Sequence, residues 1–275
     1  MTSERVFSQT GRKIIVTGHY GSGKTEFAVS LAMLMAAELN PAAEARGVSG
    51  REVSNSDGPD KEVLNSRVSN SDVPDINAKG AGRLAIVDLD VVNPYFRSRE
   101  RREILENAGI GVYGSFYNYE VTAEMPALGA TVRAPLEDVK CRVIVDAGGN
   151  DSGALALNQF IKYFTGGDTS VLAVVNANRP DTSSLEGALE HITAIESATG
   201  LTVDFIVNNC HLLRETTPGD IIKGRALCES VCARTGKTLL CDCYPAGVVD
   251  PEDLSGLSGN LMPLGLYMRP TWLDR

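Results

Sequence analysis

The chain reads GHYGSGKT at residues 18–25, directly after the apolar run IIV at residues 14–16. This stretch matches the phosphate-binding loop pattern G-x-x-x-x-G-K-[ST] in the setting that the pattern requires, with a strand before it and a helix after it. Gly18, Gly21 and Gly23 allow a tight turn that brings backbone N–H groups close to phosphate oxygens. The following helix directs the positive end of its dipole at the same anion. The stretch therefore predicts a phosphate site between the first strand and the first helix.

The side chains of this loop predict a bound nucleotide together with a metal ion. Lys24 can reach the β- and γ-phosphates, and Thr25 can place its hydroxyl on Mg²⁺. Lys24 is also a candidate catalytic residue, because its charge can stabilise the charge that develops on a transferred phosphoryl group. The residues that we expect to contact the nucleotide are Gly18, Gly21, Ser22, Gly23, Lys24, Thr25 and Glu26.

The composition of the chain argues against several classes of protein. Its residues are 43% hydrophobic and 22% charged, which is ordinary for a single α/β domain that spans residues 1–275. A net charge of −9, with no strong basic cluster, argues against nucleic-acid binding. No apolar run reaches the roughly 18 residues of a membrane span, and the polar N-terminus lacks a secretory h-region. We therefore expect a cytoplasmic protein with no membrane insertion.

Strand and helix patterns alternate along most of the chain. Such alternation predicts βαβ units, and hence a mostly parallel sheet flanked by helices on both faces, the three-layer α/β/α arrangement of the P-loop NTPase fold. Residues 114–138 contain aromatic residues and prolines but no clear pattern. The predicted strands are 13–17, 84–87, 110–113, 141–145, 170–175, 202–207 and 238–241, and the predicted helices are 25–39, 98–107, 153–164, 183–198 and 219–234.

Residues 41–82 differ in character from the rest of the chain. They are rich in Ser, Asn, Asp, Gly and Pro, and they contain a near-repeat, VSNSDGPD at 53–60 and VSNSDVPD at 68–75. Such a composition buries too little apolar surface to offset the conformational entropy of the chain. We interpret the segment as a disordered insertion between the first helix and the second strand, where extra length costs little stability.

Several predicted strands end in acidic or amide residues. The strand at 141–145 ends in Asp146 and is followed by small residues, which is the pattern of a Walker B carboxylate that holds Mg²⁺. Ligands of parallel α/β sheets bind beyond the carboxyl ends of the strands. The same edge should therefore collect the phosphate-binding loop and the pairs Asp88/Asp90, Asn176/Asn178 and Asn208/Asn209.

Five motifs of the chain together resemble those of a known family. They are GHYGSGKT, AIVDLDVVNPYFRSRE, VIVDAGGND, VVNANRPDT and IVNNCHLLRETT. They look like the motifs of a group of uncharacterised ATP-binding proteins related to MinD, ParA, Mrp, CobQ and CobB, within the SIMIBI class of P-loop NTPases. The resemblance covers most of the chain outside residues 41–82 and the termini, and DLDVVNPYFR is quite specific to it. It implies a parallel sheet flanked by helices and often a homodimer that sandwiches the nucleotide.

The resemblance also implies roles for individual residues. Asp90 would position the attacking water, Asp88 would lie near the magnesium shell, and Asp146 would be the Walker B carboxylate. Asn208, and less directly Asn176, would correspond to the asparagine that binds the edge of adenine. The glycines of switch II would be Gly148 and Gly149.

One position departs from MinD and ParA proteins. Those proteins carry a second lysine early in the loop, which reaches the nucleotide of the partner subunit, whereas this chain has His19. A neutral imidazole can donate a hydrogen bond but carries little positive charge at pH 7. The departure puts activation across a dimer in doubt, and we favour the interpretation of His19 as a variable loop residue.

Three functions are compatible with these motifs. The first is a Mg-ATP-binding switch that hydrolyses ATP slowly, with Asp90 orienting the water. The second is an ATP-dependent small-molecule kinase or ligase, similar to dethiobiotin synthetase or CobB, with a second pocket lined by residues 114–138. The third is a metal or iron–sulfur carrier that uses Cys241 and Cys243 across a dimer. Guanine specificity is less expected, because GTPases of this class use N-K-x-D and residues 208–211 lack both the lysine and the aspartate.

Overall fold

A computed structural model of the protein describes residues 8–39, 83–90, 101–114, 125–149 and 151–268. The predicted insertion at 41–82 lies outside these residues. The strands are β1 (Lys13–Gly18), β2 (Arg83–Asp88), β3 (Ile110–Gly114), β4 (Cys141–Asp146), β5 (Thr169–Val175), β6 (Phe205–Asn208), β7 (Thr238–Pro245) and β8 (Leu261–Leu264). The helices are α1 (Lys24–Leu39), α2 (Arg102–Asn107), α3 (Met125–Glu137), α4 (Asp151–Asn158), α5 (Leu185–Thr199) and α6 (Pro218–Thr235), with short 3₁₀ helices at Ile161–Tyr163, Pro180–Thr182, Leu213–Glu215 and Pro251–Leu254.

The eight described strands form one sheet in the order β3-β2-β4-β1-β5-β6-β7-β8, and every neighbouring pair is parallel. β1 pairs with β4 on one side and β5 on the other, so the phosphate-binding loop leaves an interior strand. Asp88, the last residue of β2, lies in register with Asp146, the last residue of β4. Parallel pairing thus brings two carboxylates to the sheet edge at which the loop begins.

The core consists of two apolar layers, one on each face of the sheet. Ile14 and Val16 of β1 pack with α1 in one layer, whereas Ile15 packs in the other layer with α3 to α6. Successive side chains of a strand point to opposite faces, so a strand buried on both sides must be apolar at consecutive positions. This is why β1 reads as a continuous apolar run, and the expected three-layer α/β/α fold of P-loop NTPases is confirmed.

The structure differs from the sequence-based expectations at several elements. Residues 125–137 form α3 although Pro135 lies inside the helix, because Val132 and Leu136 sit on one helix face and are buried in the core. The predicted helix at 153–164 ends at Asn158 and continues only as a 3₁₀ turn. β7 extends to Pro245, and β8 follows it at the edge of the sheet. β8 was not predicted because it is short and contains Pro263, a residue that edge strands tolerate.

The helix that follows β6 has well-defined ends. Thr217 caps the N-terminus of α6 and forms a reciprocal capping box with Asp220, while Gly236 ends the helix in the left-handed conformation with φ 73°. These ends fix the position of the loop at 209–217, which borders the phosphate-binding loop. No helix in the described part of the chain is long and apolar enough to cross a membrane.

Candidate functional site

The phosphate-binding loop packs closely against the ends of neighbouring strands. Gly23 has φ 81°, a conformation that favours glycine, and a β-carbon placed there would lie 2.4 Å from Asn209 Nδ2 and 2.6 Å from His211 Nε2. A β-carbon on Gly149 would lie 1.8 Å from the carbonyl oxygen of Gly18. Glycine is therefore required at both positions for close approach, and the segment after β4 contacts the start of the loop.

The lysine of the loop forms a buried ion pair. Lys24 Nζ lies 3.1 Å from Asp90 Oδ2, and the two side chains are 6% and 4% exposed. The backbone N–H of Asp90 donates a hydrogen bond of 3.1 Å to Asp88 Oδ1. Two residues predicted to be catalytic are thus brought together, and Asp90 is fixed by the strand end that precedes it.

Asp146 is the most deeply buried carboxylate of the site. Its side chain is completely buried, and within the described residues neither oxygen has a hydrogen bond of good geometry. Burial raises its pKa to about 8, and the nearby Asp88 and Asp90 carboxylates add to this rise. The Lys24 ammonium and the neighbouring Thr25 hydroxyl act in the opposite direction. A buried carboxyl group whose two oxygens have no hydrogen bond of good geometry is suited to binding a cation.

The oxygen ligands present fit Mg²⁺ bound together with a nucleotide. Among the described residues, no three acidic, histidine or cysteine side chains converge closely enough to hold a metal ion by themselves. Mg²⁺ in nucleotide sites takes one or two ligands from the protein and the others from phosphates and water. Thr25 and Asp146 would supply the protein's share, and Asp88 lies in register beside Asp146.

Asn208 does not have the expected role. Its side chain is fully buried, and Nδ2 donates to the Ile221 carbonyl at 2.9 Å and to Asp242 Oδ1 at 2.7 Å. Its oxygen accepts from the backbone N–H of Cys210 at 3.3 Å. Both amide hydrogens are therefore used inside the protein. The prediction that Asn208 binds the adenine edge is wrong, because the side chain points into the sheet–helix interface instead of toward the loop.

Glu26 is also a structural residue. Its carboxylate accepts the backbone N–H groups of Tyr267 at 2.5 Å and Met268 at 2.9 Å. Burial raises the pKa of Glu26, and these two hydrogen bonds offset part of the rise. Our expectation that Glu26 contacts the nucleotide is corrected, because the side chain anchors the segment after β8 against α1.

Asn209 is a site residue to which the sequence analysis gave no role of its own. Its Nδ2 donates to the carbonyl of Ser22 at 2.8 Å, and its side chain is fully buried. The contact ties the end of β6 to the phosphate-binding loop. Alternation along the strand separates the two asparagines, because adjacent side chains point to opposite faces. That alternation was the available signal that only one of the two asparagines could contact the phosphate-binding loop.

The loop after β5 provides a second contact that was not predicted. Arg179 Nε donates to the carbonyl of Gly21 at 2.8 Å, so a guanidinium lies against the phosphate-binding loop. Asn176 is fully buried and organises this region, since its Nδ2 donates to the His211 carbonyl at 3.3 Å and its oxygen accepts from Asn178 N at 2.9 Å. Asn176 therefore links the loop after β5 to the loop after β6.

His19 is more constrained than a variable loop residue would be. Its Nε2 lies 3.3 Å from Asp181 Oδ2, and its Nδ1 lies 2.9 Å from the carbonyl oxygen of Tyr20. Both ring nitrogens face oxygen atoms of neighbouring residues, and these contacts orient the ring. The His191 ring lies edge-on at 5.2 Å between centroids.

The cysteines offer no surface site. Cys241 and Cys243 are each 1% exposed and belong to the core layer beside α1. Burial raises the pKa of the Cys243 thiol well above its ordinary value. Thiols buried in this way cannot meet those of another subunit in the described conformation, so the structure removes the support for a metal carrier. Of residues 114–138, which would line the second pocket of a kinase, 115–124 lie outside the described part of the chain, and 125–137 form α3.

Comparison with known proteins found a similarity among solved structures alone. The sequence matches no protein-family model and has no significant match among curated proteins. Among solved structures, the chain is similar to FtsY from Mycoplasma mycoides, with a TM-score of 0.47 and 12% sequence identity. The match covers 87% of this chain and 63% of the FtsY chain. The P-loop NTPase fold is assigned on the sheet order and on the position of GHYGSGKT between β1 and α1.

Proposed function

We propose that the chain binds Mg-ATP and hydrolyses it slowly, as a nucleotide-dependent switch. The observation that carries the proposal is the buried ion pair between Lys24 and Asp90. A γ-phosphate at the loop would compete with Asp90 for the lysine charge. Asp90 directly precedes residues 91–100, so its pairing state would couple the presence of the phosphate to that part of the chain.

The residues of the loop supply most of the chemistry. Backbone N–H groups of residues 18–25 and the Lys24 ammonium would hold the phosphates, and Thr25 and Asp146 would hold Mg²⁺, which neutralises phosphate charge when bound. Asp90, released from Lys24, would orient water for in-line attack on the γ-phosphorus. The P–O bond to ADP breaks as the new P–O bond forms, giving ADP and inorganic phosphate.

The preference for adenine rests on residues 208–211, which lack the aspartate that binds guanine in an N-K-x-D motif. A guanine edge presents N–H donors that nucleotide-binding sites pair with a carboxylate, whereas residues 208–213 read NNCHLL. We therefore propose ATP as the nucleotide. The nucleotide-dependent homodimer that the resemblance implies, and the cytoplasmic location expected from the sequence composition, belong to the same proposal.

Equilibrium binding of Mg-ATP tests the proposal. Lys24→Ala should weaken binding by at least a hundredfold, because a buried charge-assisted contact to phosphate is lost. Lys162→Ala is the matched control: Lys162 is exposed, and its neighbour Tyr163 contacts Lys13 at the opposite end of β1. The control should bind normally, and GTP should compete at least tenfold less well than ATP. Equal affinity of Lys24→Ala and the wild type would refute the proposal.

A further inference from the structure

A short segment after β8, which we call the strap (residues 265–268), is held on α1 by two side chains of that helix. The backbone N–H groups of Tyr267 and Met268 donate to the two carboxylate oxygens of Glu26, at 2.5 Å and 2.9 Å. The N–H of the first strap residue donates to Ser30 Oγ at 3.1 Å, about one helical turn further along α1. Three of the four backbone N–H groups of the strap thus bind one face of α1.

The docked strap contains a strained backbone. Leu266 has φ 52°, in the left-handed region that residues with a side chain rarely adopt. Met268 is 6% exposed and packs in the same core layer as α1, so an apolar contact adds to the hydrogen bonds. A segment that combines backbone strain with few contacts lies at the low end of local stability. Docking of the strap therefore depends on the state of the Glu26 carboxylate.

Glu26 lies two residues after Lys24, in the first turn of α1. Lys24 forms the ion pair with Asp90. Burial raises the pKa of Glu26, and the positive charge of Arg101 acts against this rise, so Arg101 lies within electrostatic range of the carboxylate. Asp90 and Arg101 flank residues 91–100, and the helix that follows, α2, packs in the core layer of α1. Both flanks of this segment therefore face the first turn of α1 through charged side chains.

We propose that nucleotide binding at the phosphate-binding loop loosens the strap from α1, with Glu26 as the positioning residue that couples the two. A γ-phosphate that takes Lys24 from Asp90 frees one flank of the segment and draws the charge of Arg101 away from Glu26. The buried carboxylate is then less well compensated, and its hydrogen bonds to the strap weaken. Such coupling is reciprocal, so a docked strap lowers the affinity for Mg-ATP by the same factor. The inference rests on the proposed function and concerns its regulation.

Hydrogen–deuterium exchange of the full chain tests this inference. Saturating Mg-ATP should speed exchange of the Tyr267 and Met268 amides about fivefold. The amide of Gly236, which bonds the Cys232 carbonyl at the opposite edge of the sheet, should change less than twofold. Unchanged or slower exchange of the strap while Mg-ATP is bound would overturn the inference and leave the proposed function standing. Failure of the wild type to bind Mg-ATP would overturn both.

Glu26→Gln supplies the reciprocal measurement. The amide replaces one acceptor oxygen by a donor, so the strap should exchange rapidly with or without nucleotide, and Mg-ATP should bind about fivefold more tightly than to the wild type. Ser30→Ala removes only the third hydrogen bond and should shift exchange and affinity in the same directions, by about twofold each.

Ser230→Ala is the matched control for these variants. The Ser230 hydroxyl donates to the Ala226 carbonyl within α6, away from the strap, so exchange and affinity should stay at wild-type values. The unfolding temperature of each ligand-free variant verifies that it is folded. Rapid strap exchange in Glu26→Gln or Ser30→Ala, together with unchanged or weaker Mg-ATP binding, would show that Glu26 is structural alone and would overturn the coupling.

Discussion

Two clusters of buried polar side chains lie at the carboxyl edge of the same sheet and differ in how fully they are hydrogen bonded. In the amide cluster, formed by Asn208, Arg225 and Asp242, both amide hydrogens of Asn208 and both carboxylate oxygens of Asp242 have partners. In the acidic cluster, formed by Asp88, Asp90 and Asp146, the Asp146 oxygens have no hydrogen bond of good geometry. Burial at a strand end is common to both clusters, so it does not identify a site. Buried polar groups that lack a hydrogen-bond partner within the protein identify a candidate site.

The strongest test of this contrast breaks the amide cluster. Arg225 Nη1 lies 2.5 Å from Asp242 Oδ2, and Asp242 is 1% exposed. Burial raises the pKa of Asp242, and Asn208 and Arg225 offset part of that rise. Arg225→Ala should lower the free energy of unfolding by about 3 kcal/mol, because it leaves a buried carboxylate without its cation. Chemical denaturation measures the loss, and Mg-ATP affinity of the folded variant should stay within twofold. A large loss of affinity without a loss of stability would show that the cluster is functional.

His211, beside the phosphate-binding loop, should make stability depend on pH. Its pKa is about 4 in the folded protein and about 6.5 when unfolded. The unfolded chain therefore binds more protons between these values, and stability is lost as the pH falls through this window. Relative to His211→Gln, the wild type should lose about 2 kcal/mol of unfolding free energy between pH 7 and pH 4.5. If the unfolding free energies of the two proteins change with pH in parallel, the lowered pKa of His211 is contradicted.

A substitution in the acidic cluster should have effects of opposite sign on stability and binding. Asp146→Asn removes a carboxylate that is completely buried beside Asp88. Without nucleotide or metal, the variant should be more stable than the wild type by about 1–2 kcal/mol at pH 7, since the wild type buries a carboxyl group whose pKa is raised to about 8 and which must take up a proton on folding. Its Mg²⁺-dependent gain in ATP affinity should fall at the same time. Reduced stability of the ligand-free variant would show that Asp146 is satisfied within the protein.

Sequence patterns predicted the parts of the site that lie along one chain segment. The loop at 18–25 and Asp146 at the end of an apolar strand follow from local periodicity, and the parallel sheet then brings them to one edge. Glu26 was misassigned because it directly follows Thr25, although a turn of about 100° per residue directs it to another side of α1. Asn208 was misassigned in the same way, since it directly precedes Asn209, the residue that contacts the phosphate-binding loop.

Contacts between separate loops were not predictable from these patterns. Arg179 reaches Gly21, and His211 reaches Gly23, across strands that are adjacent only in the folded sheet. No spacing in the sequence encodes these approaches, because they depend on the order β1-β5-β6 and on loop conformation. Buried atoms without partners, visible only in three dimensions, distinguish these residues from ordinary loop residues.

We propose that Asp90 holds Lys24 until a phosphate replaces it and that Asp90 then orients water. Asp90→Asn separates the two roles, because it weakens the ion pair while nearly preserving shape. Mg-ATP affinity and single-turnover hydrolysis should be measured on the same preparation of this variant. Affinity equal to or higher than that of the wild type, with hydrolysis at least tenfold slower, is the predicted result. Loss of Mg-ATP affinity with unchanged hydrolysis of the bound ATP would contradict the account.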